Sequence, residues 1–195
     1  MILPISIREP EIGALMHGDM AALIRPLGRL AVLKKFDLLW VREPFYIPRA
    51  FAHRAPTSAA ADAACRPVFA ADHSIAWFAA NSGQFGQRRH ARELPKAWHR
   101  AHLRILAVEQ LPLHDVDDVD LARAGWASRD AFVKRWNQDA EFDKYRASPS
   151  VRYAANPVVL RIAFRRIDGQ LPDYKPTAGR VQPRAQSRLS AEARP

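Results

Sequence analysis

The chain has 195 residues, 48% of them hydrophobic, which excludes a wholly disordered protein and allows one domain with a substantial core. Its 30 Lys and Arg against 20 Asp and Glu give a formal charge of +10. That excess favours polyanionic partners, nucleic acid first and an anionic membrane surface second, with a solvated basic surface as the alternative. A single cysteine, Cys65, excludes an intrachain disulfide framework and a cysteine metal cluster.

The sequence predicts neither a targeting segment nor a membrane segment. Residues 1–16 (MILPISIREPEIGALM) lack a basic stretch followed by a long apolar run, unlike a signal peptide. No uncharged apolar run approaches the ~18 residues that a membrane-spanning helix requires. We therefore expect a cytoplasmic protein without a membrane partner.

The first part of the chain predicts a short helix and an interrupted strand. Pro10 suits the start of a helix over 11–17, and Gly18 can end it in a left-handed conformation. Aromatic and β-branched residues over 36–47 (FDLLWVREPFYI) predict a strand that Pro44 interrupts.

The next segment lacks a sustained pattern. Residues 50–66 are small and polar, which predicts a surface insertion or mobile loop, with a short alanine-rich helix as the alternative. Cys65 is then expected to be a surface thiol. A second strand is predicted at Val68 and Phe69.

Two long strands with helices between them are predicted in the second half. Alternation over 101–111 predicts a half-buried strand, and 156–167 alternates in the same way. In the first of these, one face is expected to hold Leu103, Ile105 and Ala107, and the other His102, Arg104 and Leu106. Between the strands, an acidic start predicts a helix ending at Gly125. Ser128 can cap another, with Phe132, Val133 and Trp136 on one stripe.

These elements predict an α+β fold built on a small barrel or a strongly curved sheet with flanking helices. We expect one domain over 1–168, with the loop insertion at 50–66. The remaining residues, 169–195, have no apolar period and contain four prolines, so we expect a disordered basic tail. The tail would be either an arm that binds nucleic acid or an inert extension, and in both cases it would not contribute to the core.

Motifs for metal binding and nucleophilic catalysis are missing from the sequence. Of the seven histidines, only His99 and His102 are close in sequence, and they enter a predicted strand, where they would point apart. No metal site and no cofactor are therefore expected. The acidic residues Asp115, Asp117, Asp118 and Asp120 favour helix capping, with a divalent-cation site as the alternative.

A basic stretch with interleaved rings is the strongest binding signal. It contains Arg88, Arg89, Arg92, Lys96, Arg100 and Arg104, together with Trp98, His99 and His102. Arginine forks pair with phosphates, and aromatic rings stack on unpaired bases. In an extended chain, Arg100, His102 and Arg104 would share one face, which favours nucleic-acid contact over a merely solvated strand face.

The order of several motifs resembles the ASCH domain of the PUA-like superfamily, particularly its phage- and prophage-encoded branch. The matching segments, in chain order from Ile2 to Ile167, are GDMAALIR, FDLLWVRE, VFAAD, LPKAWHRAHLRILAV, DVDLARAG and NPVVLRIAFRRI. The resemblance implies a compact PUA-like β-barrel with flanking helices and a cleft suited to RNA or a nucleoside. Some relatives are amidohydrolases acting on acetylated cytidine, and others are nucleases.

The hydrolase motif is degraded in this chain. The family's lysine, threonine and glutamate positions correspond to Met20, Leu23 and Ala124, so no catalytic residue is expected there. Methionine and leucine supply neither a proton relay nor an oxyanion donor. Gly18 and Arg25 are kept, and the resemblance implies that Glu43 is the structural partner of an arginine.

Two functions follow from these observations, and a protein-interaction role in phage biology is a third possibility that no motif supports. The first is a binding module that holds single-stranded or structured RNA, or another nucleic acid, without hydrolysing it, with RNA favoured over DNA. Its cleft would contain Gly18, Trp40 and Glu43 with Arg25 and Arg42, and its basic surface would extend over Arg92, Lys96, Arg100 and Arg104. Trp40 and Trp98 would stack on bases or, alternatively, belong to the core. The second is a diverged hydrolase or metal-dependent nuclease that uses Glu43 with Asp72 or the aspartates near Asp118.

Overall fold

The computed structural model describes residues 1–142 and 149–171, so residues 172–195 of the tail predicted over 169–195 lie outside the described residues. The strands are β1 (Ile2–Ser6), β2 (Ala22–Pro26), β3 (Leu38–Arg42), β4 (Phe45–Tyr46), β5 (Val68–Phe69), β6 (Ala101–Pro112) and β7 (Val158–Asp168). The α-helices are α1 (Glu11–His17), α2 (Pro56–Ala60), α3 (Ile75–Ala80), α4 (Asp118–Arg123) and α5 (Arg129–Phe142). Short 3₁₀ helices fill many of the connections.

The main sheet has five strands in the order β1-β3-β6-β7-β2 and curls into a half-barrel. β1 pairs with β3 in parallel, and the other neighbours are antiparallel. A separate small sheet joins β4 and β5, on either side of the 50–66 segment. The predicted α+β class is therefore confirmed, with a curved sheet at its centre.

Three apolar clusters hold these elements together. The first packs the sheet against α1 and includes Leu23, Leu103 and Ile162. The second covers the opposite face of β2 and β7 with α4 and α5, through side chains such as Ile24 and Trp136. The third surrounds the small sheet and contains Phe45 and Trp98. Successive residues are therefore buried on both faces at Leu23 and Ile24 in β2 and at Val159 and Leu160 in β7.

The helix ends follow the sequence signals. Gly18 ends α1 at a φ of 90°, in the left-handed region. Asp117 caps α4 by accepting a hydrogen bond from the Asp120 amide at 2.7 Å, and Ser128 accepts one from the Ala131 amide at 3.2 Å. The capping prediction for the acidic cluster is therefore confirmed at Asp117. Among the described residues, no helix combines the length and the apolar character needed to cross a membrane.

A β-bulge in β6 changes the predicted faces of that strand. The pairing with β7 shifts register between Ile105 and Ala107. Leu103 and Ile105 are buried as predicted, but Ala107 is exposed and Val108 packs against the first cluster instead. The prediction for Ala107 was wrong because an extra residue in one strand reverses the alternation beyond it.

The 50–66 segment is folded against the third cluster. It contains α2, and Ala59 and Cys65 are both buried in that cluster. The expectation of a surface thiol was wrong, because Cys65 is buried in the third cluster together with Phe45 and Phe69 of the small sheet. Burial raises the pKa of the Cys65 thiol, as does nearby Asp62, although Arg54 opposes the rise. The segment is thus part of the packed structure.

Residues 169–171, assigned to the tail from the sequence, are packed against the body of the protein. Leu171 is buried, and its amide donates a hydrogen bond to His99 Nε2 at 2.8 Å. Since that nitrogen accepts, His99 carries its proton on Nδ1, which contacts the Lys96 carbonyl. Burial lowers the pKa of His99, and the Lys96 carbonyl opposes that shift. His102, expected on the outer face, is also buried, with Nδ1 3.4 Å from the Gly169 carbonyl.

Candidate nucleic-acid interface

The positions that the ASCH resemblance aligns with hydrolase residues lie inside the apolar core. Met20, Leu23 and Ala124 are buried. The two motif segments meet where the Ala21 amide donates a hydrogen bond to the Arg123 carbonyl at 2.8 Å. A Cβ built on Gly125 would lie 3.8 Å from Met20 Sδ, so this junction is closely packed. The contact is apolar and presents no reactive group.

Arg25 is held by a carboxylate within the fold. Its Nη1 and Nη2 donate hydrogen bonds to the two oxygens of Glu11, at 2.8 and 2.7 Å. This bidentate pair joins β2 to the first turn of α1 and engages both ends of the guanidinium fork. Gly18 lies at the opposite, C-terminal end of the same helix. Arg25 is therefore a structural arginine that links two elements.

Glu43 and Asp72 both bind Arg100. Arg100 donates from Nε and Nη2 to the Glu43 oxygens at 2.8 Å each, and from Nη1 to Asp72 Oδ2 at 2.7 Å. Burial raises the pKa of Glu43, and its bonds to Arg100 oppose the rise. Burial alone would lower the pKa of Arg100, but the two carboxylates raise it above its ordinary value. Arg100 is thus the arginine partner that the resemblance implies for Glu43.

A concave site, here called the basic pocket, lies beside the end of β1. It has a volume of about 520 Å³. Ser6 and Pro44 line part of it, and most of the other lining side chains are basic. The charged and ionisable members are Arg8, Glu9, Arg88, Arg89, His90, Arg92 and Arg135. One glutamate thus faces five arginines, which gives the pocket a strongly positive balance.

Three of these arginines form no ion pair with the described residues. Arg8, Arg88 and Arg92 are exposed, and within the described ranges 1–142 and 149–171 none of them has a carboxylate within ion-pair distance. Arg89 is 3.6 Å from Glu93, and Arg135 is 3.2 Å from Asp139. These guanidinium groups, which have no carboxylate partner in the part of the chain that the structure describes, match the hydrogen-bonding geometry of an anion.

Arg42 lies beside this pocket and adds to its positive field. Its Nη1 donates a hydrogen bond to the Arg92 carbonyl at 3.1 Å, and its guanidinium lies 5.5 Å from the Trp40 ring centre. Its Nε is buried without a hydrogen-bond partner in the described part of the chain. Burial and the nearby charge of Arg29 both lower the pKa of Arg42.

The remaining predicted residues lie away from the basic pocket or in the core. Trp98 is buried and packs its ring 5.8 Å from Phe45, so it is not exposed to a base. Trp40 is half-buried between Arg42 and His99. Lys96 is exposed in a 3₁₀ turn, and Arg104 is exposed opposite Leu38, at the other end of β3 from Arg42. Arg42 and Arg92 are thus the predicted pair that the fold brings together at the pocket.

Sequence reasoning missed a group of partly exposed rings, here called the aromatic patch: Tyr46, His73, Trp77, Phe78 and Phe85. Their density over 73–85 was the available signal. It was overlooked because the residues between them carry turn chemistry and no regular period. Among the described residues, no group of three His, Cys, Asp or Glu side chains is arranged to hold a metal ion.

Segment 85–92 connects these two surfaces. Phe85 belongs to the aromatic patch, Arg88 and Arg92 line the basic pocket, and Arg89 lines both that pocket and a second depression beside Phe85. Comparison with known protein families, with characterised proteins and with solved structures finds no match, so these contacts carry the functional argument.

Proposed function

We propose that the protein is a nucleic-acid-binding module, with RNA favoured over DNA, and that it binds without hydrolysis. The observation that carries this proposal is the basic pocket, where Arg8, Arg88 and Arg92 have no carboxylate partner among the described residues. Unpaired guanidinium groups repel one another, and a phosphate oxygen relieves that repulsion while accepting paired hydrogen bonds. A chain of phosphates satisfies several such groups at once.

The size and position of the pocket agree with this ligand class. A volume of about 520 Å³ accommodates a nucleotide-sized group, and the opening is bordered by further arginines. The preference for RNA comes from the ASCH resemblance, and the curled half-barrel is compatible with the PUA-like fold that it implies. Sequence-independent contact with phosphates would then provide most of the affinity.

The hydrolase alternative has less support from the geometry. Glu43 and Asp72, its proposed carboxylates, both accept hydrogen bonds from Arg100. Asp118 pairs with Arg129 at 2.8 Å. A general base needs a lone pair directed at its substrate, and these oxygens are directed at guanidinium groups. Incubating the protein with RNA and with acetylcytidine, in the presence and absence of Mg²⁺ or Mn²⁺, should return both compounds intact. Turnover that Glu43→Gln abolishes would favour the hydrolase.

The binding proposal is tested by removing the free charges. The triple variant Arg8→Gln, Arg88→Gln, Arg92→Gln lowers the formal charge from +10 to +7. We expect its affinity for RNA to fall at least about tenfold and the slope of log K against log salt to decrease by about 2, near 0.7 for each lost phosphate contact on a single strand. Fluorescence anisotropy with labelled RNA over a salt series measures both quantities.

A matched control carries the same change in net charge elsewhere. Lys35, Arg123 and Arg165 are exposed and do not line the basic pocket. Their replacement by glutamine should leave the salt slope near that of the wild type. The proposal fails if the wild type binds no RNA at low salt, or if the two triple variants lose the same affinity.

A further inference from the structure

Helix α3 has an unusual position for an apolar helix. None of its residues is buried, although its sequence is IAWFAA, and Ile75 is 91% exposed. Ser74 caps it by accepting a hydrogen bond from the Trp77 amide at 3.1 Å, and the Asn81 side chain donates one to the Trp77 carbonyl at 2.9 Å. Local hydrogen bonds and ring contacts therefore fix α3 in place, and it presents apolar groups to the outside.

The aromatic patch is an ordered array of rings. The His73 and Trp77 rings stack at 3.8 Å with planes 11° apart, and Tyr46 and Phe78 stack at 4.1 Å. Phe85 closes the array, with its ring 5.8 Å from Trp77. All five side chains are half-buried, so one side of the array packs inward and the rest is accessible. Such a preformed surface needs little reordering to receive another flat ring.

Positive charge borders the patch directly. A depression of about 470 Å³ is lined by Phe85 together with Arg49 and Arg89, and none of its lining residues is acidic. Arg49 donates to the Ser82 carbonyl at 3.4 Å and Arg89 to the Ala52 carbonyl at 3.1 Å, which orients both groups. Glu93, 3.6 Å from Arg89, offsets part of the Arg89 charge, and it does not line the depression. The charge beside the rings is therefore complementary to phosphate.

The neighbouring rings and arginines favour one class of ligand for the aromatic patch. Rings beside arginines match a ligand that carries flat bases on a phosphate backbone. In a duplex the base faces are covered by their neighbours, and only unpaired bases can stack on protein rings. Because Arg89 lines both this depression and the basic pocket, one strand can contact the two surfaces.

We infer that the aromatic patch is a stacking platform for unpaired bases, which makes the protein selective for single-stranded nucleic acid. The inference rests on the proposed nucleic-acid binding and specifies the form of the ligand. Trp77 supplies the largest ring of the platform, and Arg49 and Arg89 hold the adjoining phosphates.

The test compares one labelled RNA of about 12 nucleotides, single-stranded, with the same RNA annealed to its complement. The wild type should bind the single strand at least about tenfold more tightly than the duplex. Trp77→Ala should lose about tenfold in single-strand affinity, the size expected for one base stack, while its salt slope stays unchanged. Trp77→Phe should recover most of that loss because it restores a ring.

A second variant changes a side chain that makes no contribution to the three apolar clusters. Ile75→Glu changes a side chain that is 91% exposed and places a negative charge beside the platform. Single-strand affinity should fall several-fold through repulsion of phosphate. Val119→Glu is the matched control, since Val119 is 57% exposed on α4, and it should bind like the wild type.

The outcomes separate the inference from the proposed function. Binding of neither RNA form contradicts the proposed function itself. Equal affinity for the single strand and the duplex overturns the stacking platform, and so does unchanged single-strand affinity in both Trp77→Ala and Ile75→Glu. In those two cases the salt-dependent contact at the basic pocket would stand.

Discussion

At Glu43, a nearly inaccessible carboxylate depends on one guanidinium group. Its side chain is 1% exposed, and Arg100 donates two hydrogen bonds to it. Glu43→Gln keeps the shape but removes the charge and one acceptor oxygen. We expect the free energy of unfolding to fall by about 3 kcal/mol, because the half-buried Arg100 loses its main counter-charge. Urea denaturation monitored by tryptophan fluorescence measures this loss.

Asp72 offers the control for that substitution. It binds the same Arg100, but its side chain is 38% exposed. Since water can replace a partner there, Asp72→Asn should cost less than about 1 kcal/mol. Equal losses in the two variants would mean that burial does not set the strength of these ion pairs.

Individual residues differed in how far the sequence could predict them. The apolar state of the three motif positions is evident from Met20, Leu23 and Ala124 in the sequence itself. The partner of Arg25 was not evident, because Glu11 is 14 residues away and their contact depends on how β2 packs beside α1. The burial of Trp98 depends in the same way on the small sheet, which a linear pattern does not describe.

At the scale of elements, two glycines end helices in the left-handed region and differ in their surroundings. Gly18 has a φ of 90° with no atom within 4 Å of a built Cβ, whereas Gly125 has a φ of 80° and its Cβ would lie 2.9 Å from Ala14 Cβ. Gly18→Ala should cost about 1 kcal/mol from backbone strain alone. Gly125→Ala should cost about 3 kcal/mol, because α1 and α4 must also separate.

Gly28→Ala is the control for both glycine variants. Its backbone is extended and no atom lies within 4 Å of the built Cβ. Stability should be unchanged or slightly raised, since alanine restricts the unfolded chain. Thermal unfolding of the three variants gives the ranking, and Gly125→Ala unfolding like Gly18→Ala would contradict the role of the helix contact.

Elements with strong local signals were predicted closely. The helix over 11–17 has the predicted bounds of α1, because Pro10 and Gly18 act through their own backbone. The β6 bulge was not predicted, because the amino-acid sequence keeps its two-residue apolar alternation through the position where the pairing with β7 shifts register. The packing of 50–66 was missed for a related reason: small residues such as Ala59 bury well only when a partner surface exists.

At the scale of the whole molecule, three residues that the sequence assigned to the tail belong to the packed structure. Residues 169–171 add a buried Leu171 and its hydrogen bond to His99. A chain ending at residue 168 should therefore melt about 5 °C below a chain ending at 171, since it loses one buried leucine and leaves His99 without that donor. Differential scanning calorimetry compares the two truncations with the full chain.

The same truncations address the predicted basic tail. Residues 172–195 contain five Lys and Arg, at 175, 180, 184, 188 and 194, against Asp173 and Glu192. If they act as an arm for nucleic acid, the chain ending at 171 should keep the melting temperature of the full chain and bind RNA with a flatter salt dependence. A lower melting temperature for that chain would show that the predicted tail contributes to the folded state.

The apolar junction between β2 and the end of α4 limits how this protein can change. The residues that the ASCH resemblance expects there are a lysine at Met20 and a glutamate at Ala124. Either one alone would place a charge in a closely packed core, at a cost of several kcal/mol. Each single replacement is therefore harmful before the second can compensate for it. Introducing a charged lysine and glutamate together would require coordinated replacements that also open a cavity, so this junction resists change more than the exposed basic surface does.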